Sequence, residues 1–308
     1  MSSAAKSTED IKFESNSEHY AATIDAYGRA SNRRDVLMDF VRNELPVLGQ
    51  PATGNNAQNH GALKVLSVGV GDGDIDINIL IKLRQREQRH IQAVIVEPDP
   101  KLMGRYKSRT EEPEKVQGID FEWRQETLEE FQKSPTGQKD DKFHFINFFN
   151  TVYYLEDKEK SLRYLYDKLD VGGVLVITVM SGEGGFARFW RYHGQHHDLD
   201  PLCDSDDVMK YLENQRIPVS ETLDKKCYLN ITSCFARPLQ ELSGDGNLLL
   251  DFLTHTLGFT KKSTVEYQDG VMKLLGSDYC STRDASGQVL LKADNVVFVI
   301  RRTNDQIM

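Results

Sequence analysis

The chain has 308 residues, of which 39% are hydrophobic and 28% are charged, with a net charge of −9 and four cysteines. This size can bury a substantial core, and the negative charge repels nucleic acid and attracts cations. The cysteines lack CxxC spacing, which indicates reduced thiols rather than a metal site or a disulfide framework. We expect a cytoplasmic protein without membrane partners, since no segment has the apolar core of a signal peptide or the roughly 20 apolar residues of a membrane span.

The predicted elements alternate between helices and strands. Residues 1–17 are polar and are predicted to form a mobile tail, and helical spacing from Tyr20 to Leu45 predicts one or two helices that end before Pro46. Strands are predicted at 63–68, 91–97, 119–123, 143–149 and 172–180, and helices at 74–85, from Lys101 and at 157–169. Most of these strands are almost entirely apolar, as expected when both faces of a sheet are covered. The pattern predicts an α/β fold, a mostly parallel Rossmann-like sheet with helices on both faces.

A glycine-rich turn follows the first predicted strand, in LKVLSVGVGDGDIDINIL. Gly69, Gly71 and Gly73 form G-x-G-x-G, and glycine allows positive φ angles and close approach of a ligand to the backbone. A dinucleotide site would have G-x-G-x-x-G, and Asp72 and Asp74 are unfavourable beside a pyrophosphate. A cationic ligand without phosphate fits better, and S-adenosylmethionine, which carries an ammonium and a sulfonium, is such a ligand.

An acid ends the second predicted strand, in AVIVEPDP. Glu97 lies 28 residues after Gly69, loosely the spacing at which an acid accepts hydrogen bonds from a ribose diol. A solvated acid at a strand end is the alternative interpretation, and nicotinamide sites use the same carboxylate. Together the turn, the acid and the alternating pattern predict a site for a nucleoside-type cofactor.

At this point the residues resemble class I methyltransferases and, more narrowly, the histamine N-methyltransferase family. The resemblance spans about residues 18 to 300. The segments that carry it are LSVGVGDGDIDINIL, VEPDP, VYYLEDKEKSLRYLYDKL, SGEGGFARFWRYHG, LCDSDDVMKYL and ITSCFARPLQELSGDGNLLLDFLT. It implies an S-adenosylmethionine-dependent N-methyltransferase that acts, as a monomer, on a small-molecule nitrogen nucleophile.

The resemblance also implies the organisation of the chain. A single methyltransferase domain at 18–300 would contain a cofactor-binding core at about 62–182 and a substrate lobe from about 18–48 and 183–300, followed by a tail at 301–308. The implied cofactor-binding residues are Gly69, Gly71, Gly73, Glu97, Thr127 and Phe149. The residues implied to line an aromatic substrate pocket are Tyr20, Tyr27, Tyr153, Tyr154, Phe186, Trp190, Cys203 and Phe252.

Two asparagines are implied to act on the substrate. Asn150 stands where the family has a glutamine that hydrogen-bonds the substrate, and Asn295, or Asp294 if the alignment slips, stands where it has an asparagine. We predict that Asn150 and Asn295 are catalytic residues that orient the nucleophile. No residue needs to form a covalent bond to the methyl group.

One position departs sharply from the family pattern. The first-helix glutamate that holds the amine corresponds to Arg33 here, within ASNRRDV. A planar guanidinium suits a carboxylate, so Arg33 is a predicted substrate-binding residue and favours a carboxylate-bearing substrate, such as an amino acid or histidine derivative, over histamine. The alternative is that Arg33 points to solvent and that Asp35 or another acid takes the role of the glutamate.

Other patterns leave alternatives open. The segment HGQHHD at 193–198 contains three histidines, but without HExxH we predict a polar loop rather than a metal site. The segment DSDD at 204–207 predicts an N-cap and the first turn of a helix. The alternative functions are a methyltransferase-fold binding protein without turnover, which the complete glycine-rich turn disfavours, and a nicotinamide-dependent oxidoreductase, which the glycine spacing disfavours.

Overall fold

The structure is a computed structural model that describes residues 17–49, 61–197, 202–236 and 238–303. Within these residues the chain divides into two compact units, in which the elements are numbered in chain order. The larger unit contains residues 34–49, 61–184, 202–226 and 294–303, and the smaller unit contains residues 17–33, 185–197, 227–236 and 238–293. The predicted N-terminal tail lies outside the described residues except for Ser17, which begins the first helix.

A seven-stranded sheet forms the centre of the larger unit. Its strands are β1 (Leu63–Val68), β2 (Ile91–Val96), β3 (Ile119–Arg124), β4 (Phe143–Phe149), β5 (Leu169–Met180), β6 (Glu221–Lys225) and β10 (Asn295–Arg301). They lie in the order β3-β2-β1-β4-β5-β10-β6. Neighbouring strands are parallel from β3 to β5, whereas β10 is antiparallel to both β5 and β6. Strand order reverses between β1 and β4, so a ligand site is expected at the carboxyl ends of these two strands.

Helices cover both faces of this sheet. The helices are α2 (Arg33–Asn43, of which Arg33 itself belongs to the smaller unit), α3 (Asp74–Glu87), α4 (Pro100–Arg109), α5 (Leu128–Lys133), the short α6 (Pro135–Gln138), α7 (Lys158–Asp167) and α9 (Ser205–Asn214). On β1, Leu63 and Val65 face a core shared with α2, α3 and α4. Leu66 and Val68 face a second core shared with α5, α7 and α9. Burial on both faces explains the apolar runs and confirms the predicted α/β class.

The helix ends follow local capping rules. Asp99 caps α4 by accepting hydrogen bonds from the amides of Lys101 and Leu102 at 2.7 and 3.0 Å, and Pro100 occupies the first position of that helix. Asp204 forms a capping box with Asp207 at the start of α9, which confirms the N-cap predicted from DSDD.

Within the residues described, the smaller unit contains five α-helices, which are α1 (Ser17–Ala30), α8 (Gly185–His197), α10 (Gly244–Thr254), α11 (Phe259–Lys262) and α12 (Val265–Leu275). Its strands are β7 (Tyr228–Asn230), β8 (Ser281–Arg283) and β9 (Val289–Lys292), which form a three-stranded sheet of order β7-β9-β8. The one or two helices predicted between Tyr20 and Leu45 are two in the structure, α1 and α2.

The structure differs from the predicted boundaries of core and lobe. The predicted lobe included α9 and most of β10, but β10 lies between β5 and β6 in the large sheet, and α9 packs against α7. The predicted C-terminal tail began at residue 301, whereas Arg301 pairs with Val174 as the last residue of β10. The alternating pattern of helices and strands could not reveal that β10, which is distant in sequence, lies antiparallel beside the parallel strands.

Two further local predictions are wrong. The strand predicted from residue 172 starts at Leu169. Gly172 and Gly173 lie inside this strand, where its pairing with β4 shifts register between Phe143 and Phe145. Residues 193–197 were predicted to lie in a polar loop, but they continue α8. His193 is only 1% exposed there.

Candidate functional site

The glycine-rich turn lies at the carboxyl end of β1, and its three glycines have left-handed φ angles of +64°, +59° and +73°. A Cβ atom on Gly69 would lie 2.1 Å from Cγ2 of Thr151, and one on Gly73 would lie 2.1 Å from the ring of Tyr106. A Cβ on Gly71 would meet no heavy atom within 4 Å. Gly69 and Gly73 therefore leave room for neighbouring side chains, and Gly71 is the glycine that leaves open space for a ligand.

Glu97 follows β2 directly and lies against the glycine-rich turn. Its carboxylate accepts hydrogen bonds from the Gly71 amide at 2.8 Å and from the Asp99 amide at 3.0 Å. The residue is 5% exposed, and burial raises its pKa above the ordinary value, although the two amide hydrogen bonds oppose the shift. Each carboxylate oxygen retains a lone pair that can accept a hydroxyl, so the group fits a ribose diol better than the solvated alternative.

The two aspartates of the turn are paired with arginines. Arg109 donates to the Asp72 carboxylate at 2.5 Å and to its carbonyl at 2.9 Å, and Arg34 donates to Asp74 at 2.5 and 3.1 Å. These two acids therefore do not select a cationic ligand as the sequence predicts, because the two arginines compensate their negative charge. The cofactor assignment depends on the other features of the site.

The remaining predicted cofactor residues lie at or shortly beyond the ends of the next two strands. Thr127 caps α5 shortly after β3: its side chain accepts from the Glu130 amide at 3.2 Å, and its own amide donates to the Glu130 carboxylate at 2.8 Å. Phe149 ends β4, half-buried, with its ring centroid 6.3 Å from that of Phe40. The parallel strands bring both residues to the edge of the sheet that carries Gly71. The donor and acceptor groups at this edge fit an adenosine-bearing cofactor.

Asn150 follows β4 and has a φ of +51°. Its backbone amide donates to the Thr178 carbonyl, and its side-chain Nδ2 donates to the Thr178 hydroxyl, both at 2.9 Å. Tyr153 donates to Asn150 Oδ1 at 3.5 Å and accepts from the Met180 amide at 2.7 Å. The end of β5 thus holds the amide of Asn150 in a defined orientation, with capacity for a further hydrogen bond.

Asn295 reaches the same end of β5 by a different route. It is the first residue of β10, pairs with Met180 and is 2% exposed. The preceding Asp294 accepts from the Lys226 ammonium at 3.1 Å. The structure thus brings Asn150, Tyr153 and Asn295 to one strand end, although which of residues 294 and 295 contacts a substrate stays a prediction.

Two other predicted pocket residues of the larger unit have contrasting environments. Tyr154 is 63% exposed, and its ring makes an edge contact with Tyr153 at 6.3 Å. Cys203 is buried in the core that includes Val208 and Leu212, and burial raises its pKa to about 12. Cys203 is therefore a packing thiol at neutral pH, and its contact with a substrate stays a prediction.

In the smaller unit, four of the predicted aromatic residues are linked by ring contacts. Tyr27 and Phe186 lie 4.9 and 6.1 Å from Phe252, centroid to centroid. Trp190 lies 4.4 Å from His255, which lies 6.1 Å from Phe252. We call Tyr27, Phe186, Trp190, Phe252 and His255 the aromatic cluster. Tyr20 is half-buried one turn before Ile24 on α1, and its contact with a substrate stays a prediction.

Arg33 extends the aromatic cluster with a guanidinium. Its Cζ lies 5.0 Å from the ring centroid of Tyr27, and the residue is half-buried. Among the described residues no carboxylate lies within 4.0 Å of Arg33, whereas Arg29 pairs with Asp245 at 2.8 Å and Arg34 pairs with Asp74. Asp35, the alternative candidate for the family's glutamate, is 83% exposed in its side chain and lies 3.8 Å from Arg34.

The histidine segment shows no metal-binding arrangement where its side chains are described. The ring of His193 contacts the Thr254 carbonyl through Nε2 at 2.9 Å and the Tyr267 hydroxyl through Nδ1. Within the part of the chain that the structure describes, no three or more His, Cys, Asp or Glu residues are grouped so that they could hold a metal ion. The side chains of His196 and His197 lie outside that part.

Sequence reasoning missed several residues of the site. Arg34 and Arg109 compensate the negative charges of Asp74 and Asp72 in the turn. Thr151 fills the space beneath Gly69, and Thr178 orients Asn150. All of these contacts join residues that are distant in sequence. A second missed group consists of Ser67, Asp76, Tyr106 and Asn147, which are joined by hydrogen bonds beneath the turn. A polar residue inside each of two strands with buried faces, Ser67 in LKVLSV and Asn147 in FHFINFF, was the available signal.

Comparison with known proteins identifies the family. Histamine N-methyltransferase B of Xenopus laevis is 31% identical over 212 residues, which cover 67% of this chain and 70% of that protein. The chain belongs to the histamine N-methyltransferase family. The zebrafish (Danio rerio) histamine N-methyltransferase is 26% identical over 290 residues, which cover 91% of this chain and 94% of that enzyme. No protein-family model matches the chain.

Solved structures agree with this family at the level of the fold. The YcgJ protein of Bacillus subtilis has a TM-score of 0.50 at 14% identity and covers 88% of this chain and 100% of its own. A proposed methyltransferase of Bacillus halodurans has a TM-score of 0.51 at 13% identity and covers 80% and 96%. Membership of the histamine N-methyltransferase family, together with this fold, identifies the chain as a class I S-adenosylmethionine-dependent methyltransferase. In the described ranges, no helix has the length and apolarity needed to cross a membrane.

Proposed function

We propose that this member of the histamine N-methyltransferase family transfers a methyl group from S-adenosylmethionine to a nitrogen of a small imidazole or amine that also carries a carboxylate. The observation that carries the proposal is Arg33, a half-buried residue whose guanidinium lies over the ring of Tyr27, with no carboxylate within 4.0 Å among the described residues. A planar guanidinium presents two parallel donors that match a carboxylate. Histamine has no carboxylate and would leave this guanidinium unpaired.

The residues of the larger unit support binding of the cofactor. Gly71 leaves space for the ligand, and the Glu97 carboxylate can accept the ribose hydroxyls. Thr127 and Phe149 are the further candidates, with Phe149 beside the adenine. When bound, S-adenosylmethionine supplies a methyl group activated by the positively charged sulfur.

The chain's own contribution to the reaction is orientation. Alignment of a nucleophile with its target can lower the activation free energy by about 7–11 kcal/mol. The Asn150 amide, held by Thr178 and Tyr153, would hydrogen-bond the nucleophile and select its tautomer, with Asn295 as the second candidate. A neutral imidazole has a free lone pair near pH 7, because its pKa is about 6.5, so no strong base is needed. An aliphatic amine must first lose a proton, which favours the imidazole.

The aromatic cluster supports a substrate that gains positive charge. Aromatic faces stabilise a cation by about 0.5–2 kcal/mol per contact, and methylation of an imidazole nitrogen increases its positive character. Tyr27 would contribute one face while also holding Arg33. We further propose that the enzyme acts as a monomer in the cytoplasm, which light scattering of the purified protein and localisation of a tagged chain would test.

A substrate panel tests the proposal. Methyl transfer is measured with histamine, histidine, N-acylated histidine dipeptides and imidazole-free amino acids, on the wild type and on Arg33→Glu. We expect wild-type preference for a carboxylated imidazole, and a shift of at least tenfold in relative kcat/KM toward histamine in Arg33→Glu. Arg29→Gln, which removes an exposed arginine already paired with Asp245, is the matched control and should keep the wild-type preference. If wild type and Arg33→Glu showed the same preference between histamine and the carboxylated imidazoles, the assignment of Arg33 to a substrate carboxylate would be refuted.

A further inference from the structure

A buried carboxylate lies beneath the glycine-rich turn. Asp76, in the first turn of α3, is 3% exposed. Its Oδ1 accepts from the Ser67 hydroxyl at 2.8 Å and from Asn147 Nδ2, and its Oδ2 accepts from the Tyr106 hydroxyl at 2.5 Å. Asp76 forms no ion pair with any residue that the structure describes. Its three donors are neutral side chains on β1, β4 and α4.

This network lies where the strand order of the sheet reverses. Ser67 is the second-to-last residue of β1. Asn147 pairs with it from β4, and its Nδ2 donates to the Ser67 hydroxyl at 3.0 Å. The Tyr106 ring is fully buried and occupies the space that a side chain on Gly73 would need. Asp76 therefore links the two central strands to the aromatic ring that supports the turn.

Helix α4 contacts the turn at further points. Arg109, three residues after Tyr106, donates to both the carbonyl and the carboxylate of Asp72. At the start of the helix, the amide of its cap Asp99 donates to Glu97, which also accepts from Gly71. The position of α4 therefore determines both the conformation of the turn and the orientation of the Glu97 carboxylate.

Burial of a carboxylate without a cation is unfavourable for stability. Burial raises the pKa of Asp76 despite three hydrogen bonds that oppose the shift, and burial likewise raises the pKa of Tyr106. A network that only filled space could be replaced by apolar side chains of similar volume at little cost. The buried carboxylate is instead explained if its hydrogen bonds fix the geometry of the glycine-rich turn.

We propose that Asp76 and Tyr106 are positioning residues for the cofactor, which hold α4 against the glycine-rich turn so that the Gly71 amide and the Glu97 carboxylate are preorganised before S-adenosylmethionine binds. Both side chains are buried and act through Gly73 and α4 rather than by contact with the ligand. Preorganisation increases affinity because the loop does not have to be ordered on binding. The inference concerns cofactor binding alone, so its failure would leave the proposed substrate untouched.

Calorimetry with S-adenosylhomocysteine tests this proposal on the full chain. Tyr106→Phe keeps the ring beneath Gly73 but removes the donor to Asp76, and Asp76→Asn keeps the volume but replaces one acceptor. The matched control is Tyr164→Phe, which removes a hydrogen bond of 2.9 Å to the Gly137 carbonyl elsewhere in the unit. We expect the dissociation constant to rise at least fivefold in Tyr106→Phe and Asp76→Asn, and to stay within twofold in Tyr164→Phe.

Amide hydrogen exchange provides a second readout that a general loss of stability would not reproduce. Exchange at Gly71 and Gly73 should accelerate at least tenfold in Tyr106→Phe and stay unchanged in Tyr164→Phe, at a temperature where circular dichroism shows all variants folded. If Tyr106→Phe does not fold, Asp76→Asn decides by the same thresholds. Affinity within twofold of wild type in the folded variants, or an equal loss in Tyr164→Phe, would overturn the proposal.

Discussion

Alanine should weaken cofactor binding at Gly71 and should mainly destabilise the fold at Gly73, because only Gly71 faces open space. Both have left-handed φ angles, which cost an alanine about 1–2 kcal/mol. A Cβ at Gly73 would also lie 2.1 Å from the Tyr106 ring, and overpacking of this kind typically costs a further 1–3 kcal/mol or so. The free energy of unfolding should therefore fall by about 1–2 kcal/mol in Gly71→Ala and by about 2–5 kcal/mol in Gly73→Ala.

Urea unfolding of the ligand-free protein and calorimetry with S-adenosylhomocysteine measure the two effects separately. A methyl group at Gly71 would occupy the space that the turn leaves open, so Gly71→Ala should bind at least tenfold more weakly while it remains well folded. Wild-type affinity in Gly71→Ala would refute the assignment of Gly71 to the cofactor. A loss of stability in Gly73→Ala no greater than in Gly71→Ala would refute the fixed position of Tyr106.

Two further predictions follow from pKa shifts. Burial raises the pKa of Glu97, so the contribution of this residue to folding stability decreases as pH rises from the ordinary to the raised pKa. Affinity for S-adenosylhomocysteine should change in the other direction. It should fall as pH drops through the raised pKa, because protonation of Glu97 removes a hydrogen-bond acceptor. Calorimetry across this range should show the loss in wild type and not in Glu97→Gln, and identical profiles would contradict the role of Glu97. Burial raises the pKa of Cys203 and Cys234 to about 12, and all four cysteines are buried, so a disulfide reagent at pH 8 should label no cysteine within minutes until urea is added. Rapid labelling of the native protein would contradict this burial.

The parallel part of the sheet could be predicted from the sequence because strands that are buried on both faces have almost continuous apolar sequences. The strand predicted at 143–149 has the observed bounds of β4, and the turn and acid that follow β1 and β2 were found by their position at strand ends. The partners of these residues were not predictable. Tyr106, Thr151 and Arg109 reach the turn from outside its own sequence segment, and no local pattern encodes such contacts.

The errors have a common physical cause. The charges of Asp72 and Asp74 suggested a cationic ligand only because their arginine partners could not be seen. His193 was predicted to lie in a polar loop because no HExxH motif is present, yet its ring contacts Thr254 and Tyr267 from other helices of the smaller unit. In both cases long-range pairing, and not local composition, decided the environment of a polar group.

Mass spectrometry of the reaction product tests the central claim most directly. The enzyme is incubated with S-adenosylmethionine carrying a labelled methyl group and with the imidazole and amine panel, and fragmentation then locates the label. The account predicts one labelled methyl on a nitrogen of a carboxylate-bearing imidazole, formed faster than on histamine. A protein that binds the cofactor yet labels only oxygen or carbon, or labels no member of the panel, would contradict it.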